Sequence, residues 1–370
     1  MGLDTSLPAK KALSHFLTKG EMMEITPFGS GHIHDTYLVT LKDGESQPRL
    51  ILQKVNHQVF TRTALVCENI KIVSDHIRQK LEEMKVSDID RRCMQVIPDK
   101  ERKPYFQDSE GIFWRIFTFI EETEAINEVA NTTQAYEAAR AIGEFQLYLS
   151  DLDAESIGES IPRFHHIGWR YENLEKAILE DLAGRVKEAQ EEIVFARKVG
   201  TIKTEMLDLL ARKVLPIRVV HNDTKINNVL FDRKTGKAIC VIDLDTVMPG
   251  SVIYDFGDMV RTFTSPAAED ETDLSRVFVR LEIYQALVEG YLAGAGSFIT
   301  STERQNLVLG AKVITLIMGI RFLTDYLNGD IYYKIHYPEQ NLNRCRNQFQ
   351  LLKDILEKEN EMSKMILPNN

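Results

Sequence analysis

Apolar positions change period along this chain, and the changes divide it. In residues 8–19, Leu13, Phe16 and Leu17 recur at helical spacing and Gly20 follows as a stop, which predicts a short amphipathic helix. The period then falls to two. Residues 22–28, 35–41 and 49–55 read as three strands, joined by the loop GSGHIHD and the turn KDGESQP, and together predict an antiparallel meander. Residues 61 to about 83 return to helical spacing through Leu65, Ile70, Val73 and Ile77, and strands follow at 93–97 and 112–120.

Beyond residue 121 the pattern becomes mainly helical. Residues 132–149 and 174 to about 210 are alanine- and charge-rich and free of proline, as long helices prefer. A strand-rich island interrupts them at 218–220, 228–232 and 238–244, punctuated by HNDTKIN and DRKTGK. Helices resume afterwards, notably from 301 to about 328, and the acidic run AEDETD at 268–273 reads as a solvated helix start. There is no internal repeat.

Composition narrows the class. With 370 residues, 44% hydrophobic and 27% charged, the chain can bury the core of one large domain or two ordinary ones. No apolar run approaches the roughly 18 residues a membrane helix needs, and the first residues lack the apolar core of a signal peptide, so a cytoplasmic protein is expected. Cys67, Cys93, Cys240 and Cys345 are scattered without metal spacing and read as reduced, packed thiols. A net charge of -10 offers no footprint for nucleic acid, so any phosphate must be met by a local site or a metal.

The candidate chemistry lies in HNDTKINN (221–228), VIDLD (241–245) and YDFGD (254–258). These residue types suit phosphoryl transfer. The reaction needs a carboxylate to orient the attacking hydroxyl and take its proton, which Asp223 can supply, and oxygen ligands for magnesium, which Asn228 and Asp243 can supply. Asp223 and Asn228 flank a short loop between strands, and an antiparallel return would bring Asp243 beside them.

H-x-D-x-x-x-x-N followed by I-D resembles the catalytic signature of the aminoglycoside phosphotransferase and choline kinase superfamily, relatives of the protein kinases. The resemblance implies an α+β, bilobal protein-kinase-like fold: a small antiparallel β-rich N-lobe over residues 1–121 that binds the nucleotide, and a larger, mainly helical C-lobe over 122–370 with the catalytic loop and acceptor pocket. It also implies Lys225 as a phosphate-holding lysine, and His221, Asp245 and Asp255 as supports behind the reacting groups, with Asp255 bracing the loop. Within the superfamily, PFGSGHIHDTYLV, HNDTKINNVL, VIDLDTVMPGSVIYDFGD and MGIRFLTDYLNGDIYYKIHYPEQNLNRCR resemble the N-acetylhexosamine 1-kinases. That likeness implies MgATP and a small sugar as partners, with Arg321, Tyr332 and His32 contacting the sugar. Read from the residues alone, Arg321 and Asp325 stand four apart on one helix face and could equally form a surface ion pair.

On the nucleotide side, Gly29, Ser30 and Gly31 resemble a kinase phosphate-covering loop without its third glycine, and Phe119 and Glu121 fall where the superfamily's hinge meets adenine. Kinases place an ATP-binding lysine on the third strand. Here Gln53 holds that position, and Lys54 beside it would face the opposite side of the strand.

Overall fold

The computed structural model describes residues 7–16, 18–29 and 33–367. In chain order it runs α1 (Leu7–Leu13), β1 (Glu21–Pro27), β2 (Asp35–Lys42), β3 (Arg49–Lys54), α2 (Thr63–Glu83), α3 (Ile89–Arg92), β4 (Val96–Ile97), β5 (Phe106–Gln107), β6 (Phe113–Thr118) and β7 (Thr123–Ala125). Then come α4 (Thr132–Tyr148), α5 (Ile167–Glu180), α6 (Gln190–Lys198), α7 (Thr201–Ala211), β8 (Arg218–Val220), β9 (Val229–Asp232), β10 (Ala238–Val241) and β11 (Met248–Gly250). Five helices close the chain: α8 (Val252–Thr264), α9 (Leu281–Ala295), α10 (Ser301–Gln305), α11 (Leu307–Leu327) and α12 (Gln340–Ile366). This is the expected α+β division, an antiparallel sheet first and helices after it.

The chain forms two compact units. One holds Met1–Glu124, Asp151–Pro162 and Leu230–Pro249; the other holds Ala125–Ser150, Arg163–Val229 and Gly250–Asn370. In the first, an antiparallel sheet runs in the order β1-β2-β3-β6-β4, with β5 on β6. Strand alternation gives it two faces. Val39, Leu41, Leu50, Leu52, Trp114 and Ile116 bury one face against Ala9, Ala12 and Leu13 of α1. On the other face the register sets Thr36 opposite Gln53 and Gln53 opposite Arg115, so three polar side chains make one row across β2, β3 and β6.

In the helical unit, glycines let backbones approach closely. A Cβ at Gly257 of α8 would lie 2.3 Å from the Gly310 carbonyl oxygen of α11, and one at Gly290 of α9 would lie 2.1 Å from that of Tyr136 in α4. Helix α11 is apolar on all sides because it is a core helix. It is also long and apolar enough to cross a membrane, with a mean hydropathy of 1.8 over its most apolar stretch, contrary to the expectation that no apolar run approaches that length. That stretch is 83% buried in protein.

Several expected elements differ. The single helix over 174–210 is three, α5 to α7, broken where Asp181 and Gly184 turn left-handed (φ 40° and 69°) and again at Gly200. The helix expected from 301 is split at Asn306. The run at 268–273 starts no α-helix: Asp273 caps a single 3-10 turn at Leu274–Arg276, while Glu269 pairs with Arg261 and Asp270 accepts from Tyr337 and Gln340. The first helix ends at Leu13, and Leu17 lies outside the described residues. The four cysteines are free and buried.

Candidate active site

The segment between β8 and β9 is built by hydrogen bonds rather than by regular structure. Asn222 sits in the left-handed region at φ 66°, a conformation asparagine tolerates better than most residues and one that surrounding bonds must hold. Asp255, fully buried at the start of α8, holds it. Its carboxylate accepts from the His221 and Asn222 backbone N–H groups at 2.9 and 2.7 Å and from Gln146 Nε2 at 2.8 Å. Thr224 adds two bonds, its N–H to Asp258 Oδ2 at 2.9 Å and its hydroxyl to the Asp255 carbonyl at 2.7 Å. Burial pushes the Asp255 carboxyl upward, against these donors.

This frame presents Asp223, Lys225 and Asn228 together. Lys225 Nζ lies 3.3 Å from Asp223 Oδ1, and Asn228 Nδ2 donates to the Asp223 carbonyl at 2.9 Å and to its Oδ2 at 3.2 Å. Burial alone would raise the Asp223 carboxyl, but Lys225, His221 and Arg261 outweigh it and hold it below the ordinary carboxylate value. Asp223 in turn holds the Lys225 ammonium charged. His221 acts behind the site: its Nδ1 accepts the Asp223 N–H at 3.2 Å.

In the first unit, Asp245 anchors the turn that also carries Asp243. Arg115 makes a forked pair with it, Nη1 to Oδ1 at 2.5 Å and Nη2 to Oδ2 at 2.8 Å. His34 completes the set. The Asn56 N–H donates to His34 Nδ1 at 3.0 Å, so Nε2 carries the hydrogen and donates to Asp245 Oδ2 at 3.2 Å. Burial would raise the Asp245 carboxyl, and Arg115 drives it far below the usual range instead. Gln53 is bonded at both polar atoms, with Oε1 accepting from Arg115 Nε at 2.9 Å and Nε2 donating to Thr36 Oγ1 at 3.1 Å. Lys54 lies on the other face and pairs with Asp35 at 3.5 Å. Asp243 itself is left-handed, at φ 61°.

Of the loop expected to cover phosphates, Ser30, Gly31 and His32 lie outside the described residues; Gly29 is left-handed at φ 80° with open space beyond its Cα. Phe28 meets Phe119 edge to face at 5.8 Å, and the Arg49 guanidinium stacks 4.3 Å over the Phe119 ring. The Glu121 carbonyl accepts from Arg91 Nε at 3.0 Å and its carboxylate pairs with Arg49, so a hinge contact from Glu121 would fall to its N–H.

Arg321 and Tyr332 do come together, in a cavity of about 390 Å³ within the helical unit that Arg170, Asn173, Thr324 and Tyr333 also line. Arg321 and Asp325 do not pair. Asp325 instead accepts the N–H groups of Ile331, Tyr332 and Tyr333 at 3.1, 2.8 and 2.9 Å, which folds the loop carrying both tyrosines over the end of α11. The Arg321 guanidinium is left among rings, 5.1 Å from Phe164, 5.8 Å from Tyr332 and 5.5 Å from Tyr333. Arg170, Tyr333 and Thr324 each keep a buried polar atom with no protein partner.

Sequence reasoning missed His34, Arg115, Arg170 and His165. A single charge inside the apolar strand IFWRIFTFI was the available signal for Arg115. His165 Nε2 donates to the Asn222 carbonyl at 3.2 Å, so Nδ1 is a lone pair, buried and unpartnered. Burial, with Arg321 nearby, pushes its imidazole down to about 3.

A loop presenting carboxylate, lysine and amide from a braced frame has the residue types that phosphoryl transfer to a hydroxyl calls for. A model of the phosphotransferase enzyme family matches residues 24–296, and the chain belongs to that family. Solved structures share the fold. An aminoglycoside phosphotransferase from Alicyclobacillus acidocaldarius matches with a TM-score of 0.61 at 11% identity, covering 95% of this chain and 96% of its own. A microcompartment-associated aminopropanol kinase matches at 0.56 and 17%, covering 96% and 98%. A choline kinase from Cryptosporidium parvum matches at 0.53 and 15%, covering 93% and 91%.

Proposed function

We propose that this protein transfers the γ-phosphoryl group of MgATP to the anomeric hydroxyl of an N-acetylhexosamine, GlcNAc or GalNAc. One observation supports a sugar over the amines named for the neighbouring structures: the cavity beside Arg321 is lined by two guanidinium groups, and Asp325, the carboxylate one helical turn from Arg321, is already bonded elsewhere. Asp325 is spent on backbone N–H groups and Asn341, and Glu180 lies 3.8 Å from Lys176. Burial and the neighbouring Arg321 push Arg170 down to about 9, so a cationic acceptor would worsen an environment already adverse to positive charge. Neutral hydroxyls and an amide carbonyl would accept from Arg170 and Arg321, and the Tyr332 ring would cover the C–H face of a pyranose.

Asp223 is held below the ordinary carboxylate range, so it is a weak base. That suits an anomeric hydroxyl, which is more acidic than an ordinary alcohol. In this reading Asp223 orients that hydroxyl and takes its proton, Asn228 Nδ2 fixes the Asp223 carboxylate, and Lys225 steadies the transferred group.

Each of the two expected donors suits magnesium by its own chemistry. Asn228 spends its amide nitrogen on Asp223, which leaves Oδ1 as a hard oxygen ligand, and Asp243 offers a carboxylate. One amide and one carboxylate are what such an ion takes from protein when nucleotide phosphates supply the rest, and among the described residues no cluster of three His, Cys, Asp or Glu forms a self-sufficient cage. When bound, the ion would neutralise charge on the phosphates.

The test is ADP release from MgATP with GlcNAc, GalNAc, glucose, galactose, homoserine and choline. ADP with an N-acetylhexosamine, together with loss of its reducing end, is the expected result. Turnover with choline or homoserine alone would replace the acceptor, and no ADP with any of them would point to a nucleotide-binding scaffold.

A further inference from the structure

We propose that Arg115 is a positioning residue: through its forked pair with Asp245 it fixes the turn that carries Asp243, a support that stands on β6 where β3 carries a neutral glutamine. The inference rests on the phosphotransferase reading of Asp243 as a metal ligand. Gln53 is held at both polar atoms, its carbonyl oxygen by Arg115 and its amide nitrogen by Thr36, and it carries no positive charge. The register places Arg115 directly across from it, so the cation missing from β3 stands one strand over on the same sheet face.

Arg115 is 2% exposed and Asp245 5%. Taking both charges out of water is expensive, and an apolar pair of similar volume would often hold two elements as firmly. An apolar pair could not place a fixed positive charge near Asp243, whose carboxylate adds to the field that keeps Arg115 charged. Nor could it grip both oxygens of Asp245. Asp243 lies two residues before that anchor at φ 61°, a conformation its surroundings must impose. Gln53 aligns the guanidinium through Nε, and His34 fills the remaining site on Asp245 Oδ2.

The experiment measures binding of Mn²⁺ and of MnATP, by electron paramagnetic resonance and calorimetry, beside thermal melting of each variant. Arg115→Met should melt cooperatively yet bind MnATP about 10- to 100-fold more weakly, as loss of a metal ligand's support does, with the KM for the acceptor unchanged. Gln53→Lys combined with Arg115→Met returns a cation to the row and should recover most of that loss. Folded Arg115→Met that binds MnATP within about twofold of wild type, or a folded double variant no tighter than Arg115→Met, overturns the inference. If Arg115→Met fails to fold, Arg115→Lys decides: it keeps the charge but loses the fork, so binding weakened about tenfold supports the proposal and unchanged binding overturns it. Wild-type protein that binds no MnATP overturns the phosphotransferase site itself, an outcome distinct from normal wild-type binding with undisturbed variants.

Discussion

Gln53 and Arg115 face each other across β3 and β6, and the bond from Arg115 Nε to Gln53 Oε1, at 2.9 Å, makes the glutamine a brace for the arginine. The position where a kinase carries a lysine is therefore part of a bonded network of Thr36, Gln53, Arg115, Asp245 and His34, buried at Arg115 and Asp245 and half-buried at the other three. A locked network suits alignment better than reach. Lys225, the cation proposed to steady the transferred group, differs in being 44% exposed at its side chain.

Asp223→Asn should leave the loop standing, because the bonds that shape it come from Asp255, Asp258 and the Asn222 backbone rather than from the Asp223 carboxylate. It should lower kcat by about 10²- to 10⁴-fold, the usual share of a positioned base, with the melting temperature and MgATP affinity close to wild type. Steady-state kinetics and calorimetry on the same preparation check it. Near-native turnover would remove Asp223 from its role.

His165 gives the stability a pH dependence whose sign is fixed. Its folded value is pushed down to about 3, whereas an unfolded histidine takes up a proton near about 6.5. Between those values the unfolded chain binds more protons, so stability falls as the pH falls, by at most about 1.4 kcal/mol per pH unit from this group. His165→Gln should show a shallower slope in urea unfolding measured at several pH values below neutrality. An identical slope would mean that the buried imidazole already titrates in the folded protein.

Gly257 lies between Asp255 and Asp258, the two carboxylates that hold the catalytic loop. Gly257→Ala would drive a methyl group into the Gly310 backbone, 2.3 Å from its carbonyl oxygen, where no flexible side chain can yield. Overpacking of this kind costs about 1–3 kcal/mol and moves α8 against α11, carrying both carboxylates with it. A lowered melting temperature accompanied by a lower kcat is expected. A variant with wild-type melting and kinetics would show that the two helices separate without disturbing the loop.

The elements set by strong local pattern were legible in the sequence, and those set by distant partners were not. Alternation in LILQK and IFWRIFTFI gave β3 and β6 to within two residues, and the catalytic loop stood out by its residue types. The strand pattern puts Gln53 at the position where kinases carry a lysine but cannot show Arg115 beside it, because the pairing depends on register between strands some sixty residues apart. The break between α5 and α6 was hidden for the opposite reason. Asp181 adopts φ 40° in a run of good helix formers, its N–H still bonded to the Ala177 carbonyl and its carboxylate turned to the N–H of Val186, and the mark in the sequence is a single glycine, Gly184, three residues on. Asp325 was legible as Arg321's neighbour at helical spacing, yet three N–H groups of a loop six to eight residues on, together with the Asn341 amide, compete more strongly for its carboxylate.

That competition sets up a test on the acceptor side. With Asp325 committed to the loop, no described carboxylate pairs with Arg321, and its guanidinium is held only by Met318 Sδ at 3.4 Å and by the rings of Phe164, Tyr332 and Tyr333. Arg321→Met keeps much of the apolar stem but gives up every N–H donor, and hydrogen bonds from a charged group contribute about 1.5–3 kcal/mol. At about 1.4 kcal/mol per factor of ten, the acceptor KM should rise roughly 10- to 150-fold while the KM for MgATP and the melting temperature stay near wild type. Arg321→Ala should do the same with some loss of stability, since it also removes packing against three aromatic rings. An Arg321→Met enzyme whose acceptor KM is unchanged would place the sugar elsewhere; one in which the MgATP KM rises instead would assign Arg321 to the phosphates.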